Sequence, residues 1–314
     1  MTTFKEIRGT AVQSLSSDPS NPETGQIWYN NSIGVLKGYQ LGAATWASGG
    51  SLSTGRRYLA GAGTQTVGLA FGGVTTVLQS ATEEYNGSAW TAGGNLGTAR
   101  YLLGGCGTQT AGLGFGGYTT ANSNATEEYD GSAWTAGGNL ATARQGPVGA
   151  GTQTVGLAIG GFTTIVVANT EEYDGSSWTA GGNLGTARYQ LAGAGTQTAG
   201  LAFGGNSTAT TNATEEYDGS AWTAGGNLNT SRQRLAGAGT QTAGLAFGGS
   251  PSQSVTEEYN GTSWTNSTSM ATGRSGLAGA GTQTAGLAFG GASTSTATEE
   301  YTGAALVAKK ITTS

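Results

Sequence analysis

Histidine is absent from all 314 residues, which removes the side chain most often used as a general base or metal ligand near neutral pH. Cys106 is the sole cysteine, so an intrachain disulfide framework and any multi-cysteine metal site are excluded. Charged residues make up only 10% of the chain, and the four lysines (Lys5, Lys37, Lys309, Lys310) all lie near its ends. Between Trp46 and Tyr301 the only bases are eight arginines, set against twelve glutamates and three aspartates, a local balance of −7. No basic stripe exists, and the overall charge of −5 gives no reason to expect nucleic acid or an anionic membrane as partner. Met1 to Leu15 contains no continuous apolar run, so neither a signal peptide nor membrane insertion is expected. Synthesis in a cytoplasm is expected, and an external role would need lysis or assembly into a particle.

What is abundant is glycine, 59 residues of it, together with 7 tryptophans, 12 tyrosines and 7 phenylalanines. A disordered Gly/Ser/Thr linker would lack those large apolar side chains. The glycines and aromatics recur with a period of 44, shortening to 42 near the C-terminus. Arginine returns at Arg56, Arg100, Arg144, Arg188, Arg232 and Arg274. Tryptophan returns at Trp46, Trp90, Trp134, Trp178, Trp222 and Trp264, and a Thr-Glu-Glu-Tyr run ends at Tyr85, Tyr129, Tyr173, Tyr217, Tyr259 and Tyr301.

Within one period, residues 60–64 and 66–71 read as two strands joined by a tight Thr-Gln turn, the second ending at Gly72-Gly73. Residues 81–85 read as a third strand. Asn86-Gly87, elsewhere Asp-Gly, predicts a type I′ hairpin turn with both central residues at positive φ, leading to a short fourth strand at Trp90. Four short strands in 40–50 residues make one blade of a β-propeller, so the expected fold is all-β, a six-bladed propeller. The density of Gly, Thr and Ser and the lack of a 3.6-residue apolar period speak against a helical solenoid.

The register is permuted, because Trp46 precedes the first arginine and Leu306 stands where the last repeat would have its tryptophan. Either the strand at Trp46 completes the last blade, closing the ring and removing two open edges, or Leu306 fills that slot. The first reading is preferred. The expected organisation is an extension over residues 1–40, the propeller over 41–306 and a tail over 307–314.

Gly-Gly after an apolar strand, then Glu-x-Tyr-Asp, a short turn, Trp and Arg, resembles the kelch motif, six times over, from residue 46 to 301. A leucine (Leu69, Leu113, Leu157, Leu201, Leu245, Leu287) stands where kelch repeats usually carry an aromatic three residues before Gly-Gly. Ahead of the repeats, Gly25-Gln26-Ile27-Trp28-Tyr29-Asn30 followed by Gly34-Val35-Leu36-Lys37 reads as a hairpin and resembles a short module of phage tail-fibre-like virion proteins. That resemblance implies a virion-associated structural or adhesion protein that joins other virion proteins through residues 1–40, homo-oligomeric assembly included. The kelch resemblance implies the alternative, an intracellular protein-interaction module.

Six equivalent copies of Glu83-Glu84 and Arg56 are an unpromising catalytic set, since a working carboxylate pair needs two different environments. The arginines and tryptophans therefore read as structural, one Glu of each pair meeting an Arg, and no enzyme activity, cofactor or metal is expected. Asp130-Gly131, Asp174-Gly175 and Asp218-Gly219 carry oxygen donors but have hairpin-turn spacing, and Cys106 replaces the alanine of the other copies (Ala62, Ala150, Ala194, Ala238, Ala280). Gly-Gly has no following Lys or helix and so does not read as a phosphate cradle.

The copies differ in two places: just after the repeated Arg and just after Gly-Gly. In an up-and-down blade both connections leave from one face, opposite the near-invariant turns. Loops of this kind usually carry binding. Tyr58, Tyr101, Gln145, Tyr189, Gln190, Gln233 and Arg234 from the first set, with Tyr118 and Phe162 from the second, form the candidate ligand site, for a host-surface glycan or protein. Tyr58, Tyr101, Tyr189 and Arg234 are expected nearest the axis. Unconstrained drift of exposed loops is the competing explanation.

Overall fold

The computed structural model describes residues 12–311, and among them there is no helix. The regular structure is seven four-stranded sheets. The chain opens with β1 (Gln13–Leu15), β2 (Ile27–Asn30), β3 (Val35–Leu41) and β4 (Thr45–Ser48). The first repeat sheet holds β5 (Ala60–Gly63), β6 (Gly68–Phe71), β7 (Thr82–Tyr85) and β8 (Trp90–Ala92). The second holds β9 (Gly104–Gly107), β10 (Gly112–Phe115), β11 (Thr126–Tyr129) and β12 (Trp134–Ala136). The third holds β13 (Val148–Gly151), β14 (Gly156–Ile159), β15 (Thr170–Tyr173) and β16 (Trp178–Ala180). The fourth holds β17 (Ala192–Gly195), β18 (Gly200–Phe203), β19 (Thr214–Tyr217) and β20 (Trp222–Ala224), and the fifth β21 (Ala236–Gly239), β22 (Gly244–Phe247), β23 (Thr256–Tyr259) and β24 (Trp264–Ser267). Last come β25 (Ala278–Gly281), β26 (Ala285–Phe289), β27 (Thr298–Thr302) and β28 (Leu306–Lys310).

The sixth repeat sheet runs β25-β26-β27-β4, so its fourth strand comes from the start of the chain. Trp46 pairs with Tyr301, in the same register as Trp90 with Tyr85. Leu306 instead pairs with Leu41, because β28 runs antiparallel to β3. The compact unit built on the repeats therefore spans Thr45–Thr302 rather than 41–306, and Leu306, expected within it, joins residues 307–310, expected as a tail, in a strand elsewhere.

Each repeat sheet is antiparallel and meets two others through its first strand: β5 lies beside β9, β9 beside β13, and so on to β25, which lies beside β5. This is a propeller-like repeat architecture. The second strands (Gly-Leu-Ala-Phe in β6, β18 and β22) are buried along their whole length, as expected of a short apolar strand covered on both faces. The first strands are almost pure Ala and Gly because they crowd together. A Cβ on Gly149 would stand 2.4 Å from the Gly105 carbonyl oxygen of the neighbouring first strand.

Both hairpin turns differ from expectation. The first spans residues 64–67, with Thr64 N–H donating to the Val67 carbonyl, so the strands are shorter than predicted. The second spans residues 86–89, and only Gly87 is at positive φ (88°). It is no type I′ turn. The Asn86 side chain closes it by accepting from Ser88 N, Ser88 Oγ and Ala89 N at 2.9–3.0 Å.

The other compact unit, residues up to Ala44 with those from Gly303 on, is a separate sheet ordered β1-β2-β3-β28. The hairpin of β2 and β3 is where the sequence places it, Asn30 opposite Val35, while β1 adds in parallel to β2. Trp28 is fully buried against Tyr39 at 4.6 Å between ring centroids, and Lys37 pairs with Asp18 at 2.8 Å. Of the expected 1–40 extension and C-terminal tail, residues 1–11 and 312–314 lie outside the described residues.

Candidate functional site

The six repeated arginines are buried, and each ion-pairs with the first glutamate of the Thr-Glu-Glu-Tyr run in the sheet that follows it. Arg56–Glu83, Arg188–Glu215 and Arg232–Glu257 are at 2.8 Å, Arg274–Glu299 at 2.9 Å and Arg100–Glu127 at 3.0 Å. Arg144 and Glu171 are 3.1 Å apart, an ion pair whose angles make no hydrogen bond. Burial lowers each guanidinium below the ordinary arginine value, and the adjoining glutamate opposes that shift. The second oxygen of the same carboxylate accepts a backbone N–H three residues before the arginine, for instance Gly97 N to Glu127 at 2.6 Å and Gly185 N to Glu215 at 2.6 Å. One buried carboxylate thus fixes the loop entering its sheet.

Three further groups of each repeat reach the preceding sheet. Tryptophan Nε1 donates to the threonine of the preceding Thr-Glu-Glu-Tyr run, as in Trp134 to Thr82 and Trp90 to Thr298, both at 2.9 Å. Trp46 does the same to Thr256 at 3.0 Å. Tyrosine hydroxyls donate to the second glutamate: Tyr129 to Glu84, Tyr217 to Glu172 and Tyr85 to Glu300, each at 2.6 Å. Desolvation, then the facing carboxylate, pushes the hydroxyls of Tyr85, Tyr129, Tyr173, Tyr217 and Tyr259 up to about 12. The turn glutamines complete the set, Gln109 donating to the carbonyls of Gly68 (2.9 Å) and Tyr85 (2.7 Å). The repetition of Gln65, Gln109, Gln153, Gln197, Gln241 and Gln283 is the sequence signal for this role, which a reading of the segment as a simple turn passed over.

The variable segments meet on the side away from those turns. Isolated antiparallel bridges join Arg57 to Val74, Tyr101 to Tyr118, Gln145 to Phe162 and Tyr189 to Asn206, while Ser250 N–H donates to Gln233 O. Post-arginine and post-Gly-Gly loops are therefore contiguous. The aromatics cluster in two groups, Tyr58–Tyr101–Tyr118 (centroids 6.1 and 5.7 Å) and Phe162–Tyr189 (5.5 Å).

The innermost position is the second residue after each arginine: Tyr58, Leu102, Gly146, Gln190, Arg234 and Gly276. All six are left-handed, with φ between 52° and 64°. Their backbones form a closed hydrogen-bond circuit, each N–H donating to the carbonyl of its predecessor and Tyr58 N to Gly276 O at 2.7 Å. The circuit rims a channel of about 220 Å³ lined by all six first strands. Tyr58, Gln190 and Arg234 line it, whereas Tyr101 and Tyr189, expected near the axis, stand one residue outward and do not. Gly276 is glycine for a local reason: a Cβ there would lie 2.8 Å from the Tyr58 ring. The rim positions Leu102, Gly146 and Gly276 escaped the sequence reading because a repeat comparison shows variability, not radial distance.

Cys106 is buried in β9 on the channel wall, and desolvation pushes its thiol up to about 12. Asp174 Oδ1 accepts Ser176 N, Ser176 Oγ and Ser177 N at 2.8 Å, and those bonds hold its carboxyl down at about 2. Asp130 and Asp218 make the same turn as Asn86 and Asn260, so the carboxylate there serves geometry that an amide serves equally. No group of three or more metal-ligating side chains occurs among the described residues. No protein-family model and no curated protein matches this chain.

Proposed function

We propose that residues 45–302 are a six-bladed, kelch-like β-propeller displayed on a virus particle as a non-enzymatic structural or adhesion component. Its variable face takes a host-surface ligand such as a glycan. The observation that carries the reading is the asymmetry between the two sides of the repeat sheets. On the turn side, the repeated glutamine is committed to carbonyls of the preceding sheet and the Asp or Asn to its own turn. On the other side, tyrosine, glutamine and arginine side chains that differ from copy to copy surround the mouth of a channel. Scaffolds that hold a constant framework and vary one loop cluster use that cluster for binding.

The virion assignment draws support from the Gly25–Asn30 and Gly34–Lys37 segments and from their pairing as a hairpin. Residues 1–40 would attach it to other virion proteins, with self-association an accompanying expectation. Mass spectrometry of purified particles from a producing host tests this: the chain should co-purify in stoichiometric ratio to other particle proteins. Recovery only from the soluble cell fraction would favour an intracellular interaction module instead.

A further inference from the structure

Of the eight arginines in the repeat unit, six are buried against glutamates, and the remaining two, Arg57 and Arg234, face the same tyrosine. Each guanidinium carbon lies 5.5 Å from the centroid of the Tyr58 ring, so the two are separated by at most twice that distance. They come from repeats far apart in sequence, and only the cyclic arrangement of first strands brings them together. Neither has a carboxylate partner among the described residues. No Asp or Glu occurs in any of the variable loops 74–80, 118–124, 162–169, 206–212, 250–254 or 292–296.

Arg234 is half-buried on the channel rim, and its Nε donates to Gln190 Oε1 at 3.0 Å. That bond sets the orientation of the Gln190 amide, leaving its NH₂ as a donor, and leaves the two terminal nitrogens of Arg234 as donors too. A half-buried guanidinium retained without a counter-charge, in a unit whose net charge is negative, is matched by a ligand that brings the charge. The planar fork matches a carboxylate bidentately. Beside it, Tyr101 and Tyr118 continue the aromatic surface outward from Tyr58. Aromatic rings next to a bidentate cation suit a pyranose whose apolar face stacks while its acidic substituent is held.

We infer that the channel mouth is a binding site for an acidic saccharide, its carboxylate held by Arg57 and Arg234 with Gln190, and its sugar ring against Tyr101 and Tyr118. The inference rests on the proposed glycan-binding face and names the chemical class that face selects.

The test is binding of the full chain to immobilised oligosaccharides ending in a uronic or sialic acid, beside their carboxyl-reduced and sulfated counterparts. Carboxylated probes should bind, and reduction should weaken them about tenfold or more, the range for a hydrogen-bonded charge. Arg234→Gln and Arg57→Gln should each weaken binding by a similar factor with an unchanged melting temperature, since neither side chain belongs to a buried ion pair. Added salt should weaken binding in the wild type and less so in the variants. Equal binding of reduced and carboxylated probes, preference for the sulfated ones, or indifference to both substitutions overturns the acidic-saccharide assignment while leaving a glycan-binding face intact. Binding to no saccharide in any arm removes both.

Discussion

The two adjacent carboxylates of each Thr-Glu-Glu-Tyr run point to opposite faces of their strand, because side chains alternate with period two, and so they meet different partners. Glu215 holds Arg188 within its own sheet, while Glu216 accepts the hydroxyl of Tyr259 in the next sheet. Removing one member of a buried pair leaves an uncompensated charge, which costs about 3–5 kcal/mol. Arg188→Ala should therefore lower the unfolding free energy by that order, whereas Arg57→Ala, outside any ion pair, should leave it nearly unchanged; equilibrium unfolding of both variants measures the contrast. The buried tyrosines add a pH dependence. Their folded-state value of about 12 lies above the unfolded value of 10, so their contribution is complete below pH 10 and is lost as pH rises through about 12. Melting temperatures recorded from pH 8 to 12 should be flat up to about pH 10 and then fall; a curve that stays flat beyond pH 11 would contradict that assignment.

Among the elements, the first strands are the most constrained. Their alternation of Ala and Gly permits neighbouring backbones to approach where any larger side chain would meet a carbonyl. Gly149→Ala places a Cβ 2.4 Å from the Gly105 oxygen, and because the obstacle is backbone, the strand must shift; a loss of about 1–3 kcal/mol is expected. The first hairpin turns act as clasps between sheets. Gln153 donates to the carbonyls of Gly112 and Tyr129, so Gln153→Ala should lose about 1 kcal/mol per bond without altering the fold. Circular dichroism paired with urea unfolding would distinguish a weakened clasp from a rearranged sheet.

For the repeat unit as a whole, the decisive link joins residues 46 and 301. Trp46 pairs with Tyr301, donates to Thr256 and packs on Phe247, the same relationships that an interior tryptophan such as Trp264 has with Tyr259, Thr214 and Phe203. The terminal position carries no lesser role. Trp46→Ala should then destabilise by about 3 kcal/mol, at the low end for tryptophan truncation because the ring is half-buried. If Trp46→Ala proved far milder than Trp222→Ala, also half-buried, the sixth sheet would not depend on its borrowed strand. Heating with tryptophan fluorescence as the probe gives both values in one series.

The amino-acid sequence alone determined the repeat, its four strands and the pairing of one glutamate per repeat with the arginine, while the choice between Trp46 and Leu306 for the last fourth strand was decided by the pairing of Trp46 with Tyr301. The first three depend on residue type at fixed spacing, and six copies make such spacing legible. It also placed both variable segments on one side, since successive antiparallel strands reverse direction. Radial position was decided only by the tertiary structure: Gln190 and Arg234 reach the channel rim while Tyr101 and Tyr189 stand outside it, because the left-handed residue after each variable position turns the chain inward. The meeting of Arg57 with Arg234 is of the same kind. They are 177 positions apart, and only the packing of one first strand against the next, continued until the sixth meets the first, sets both beside Tyr58.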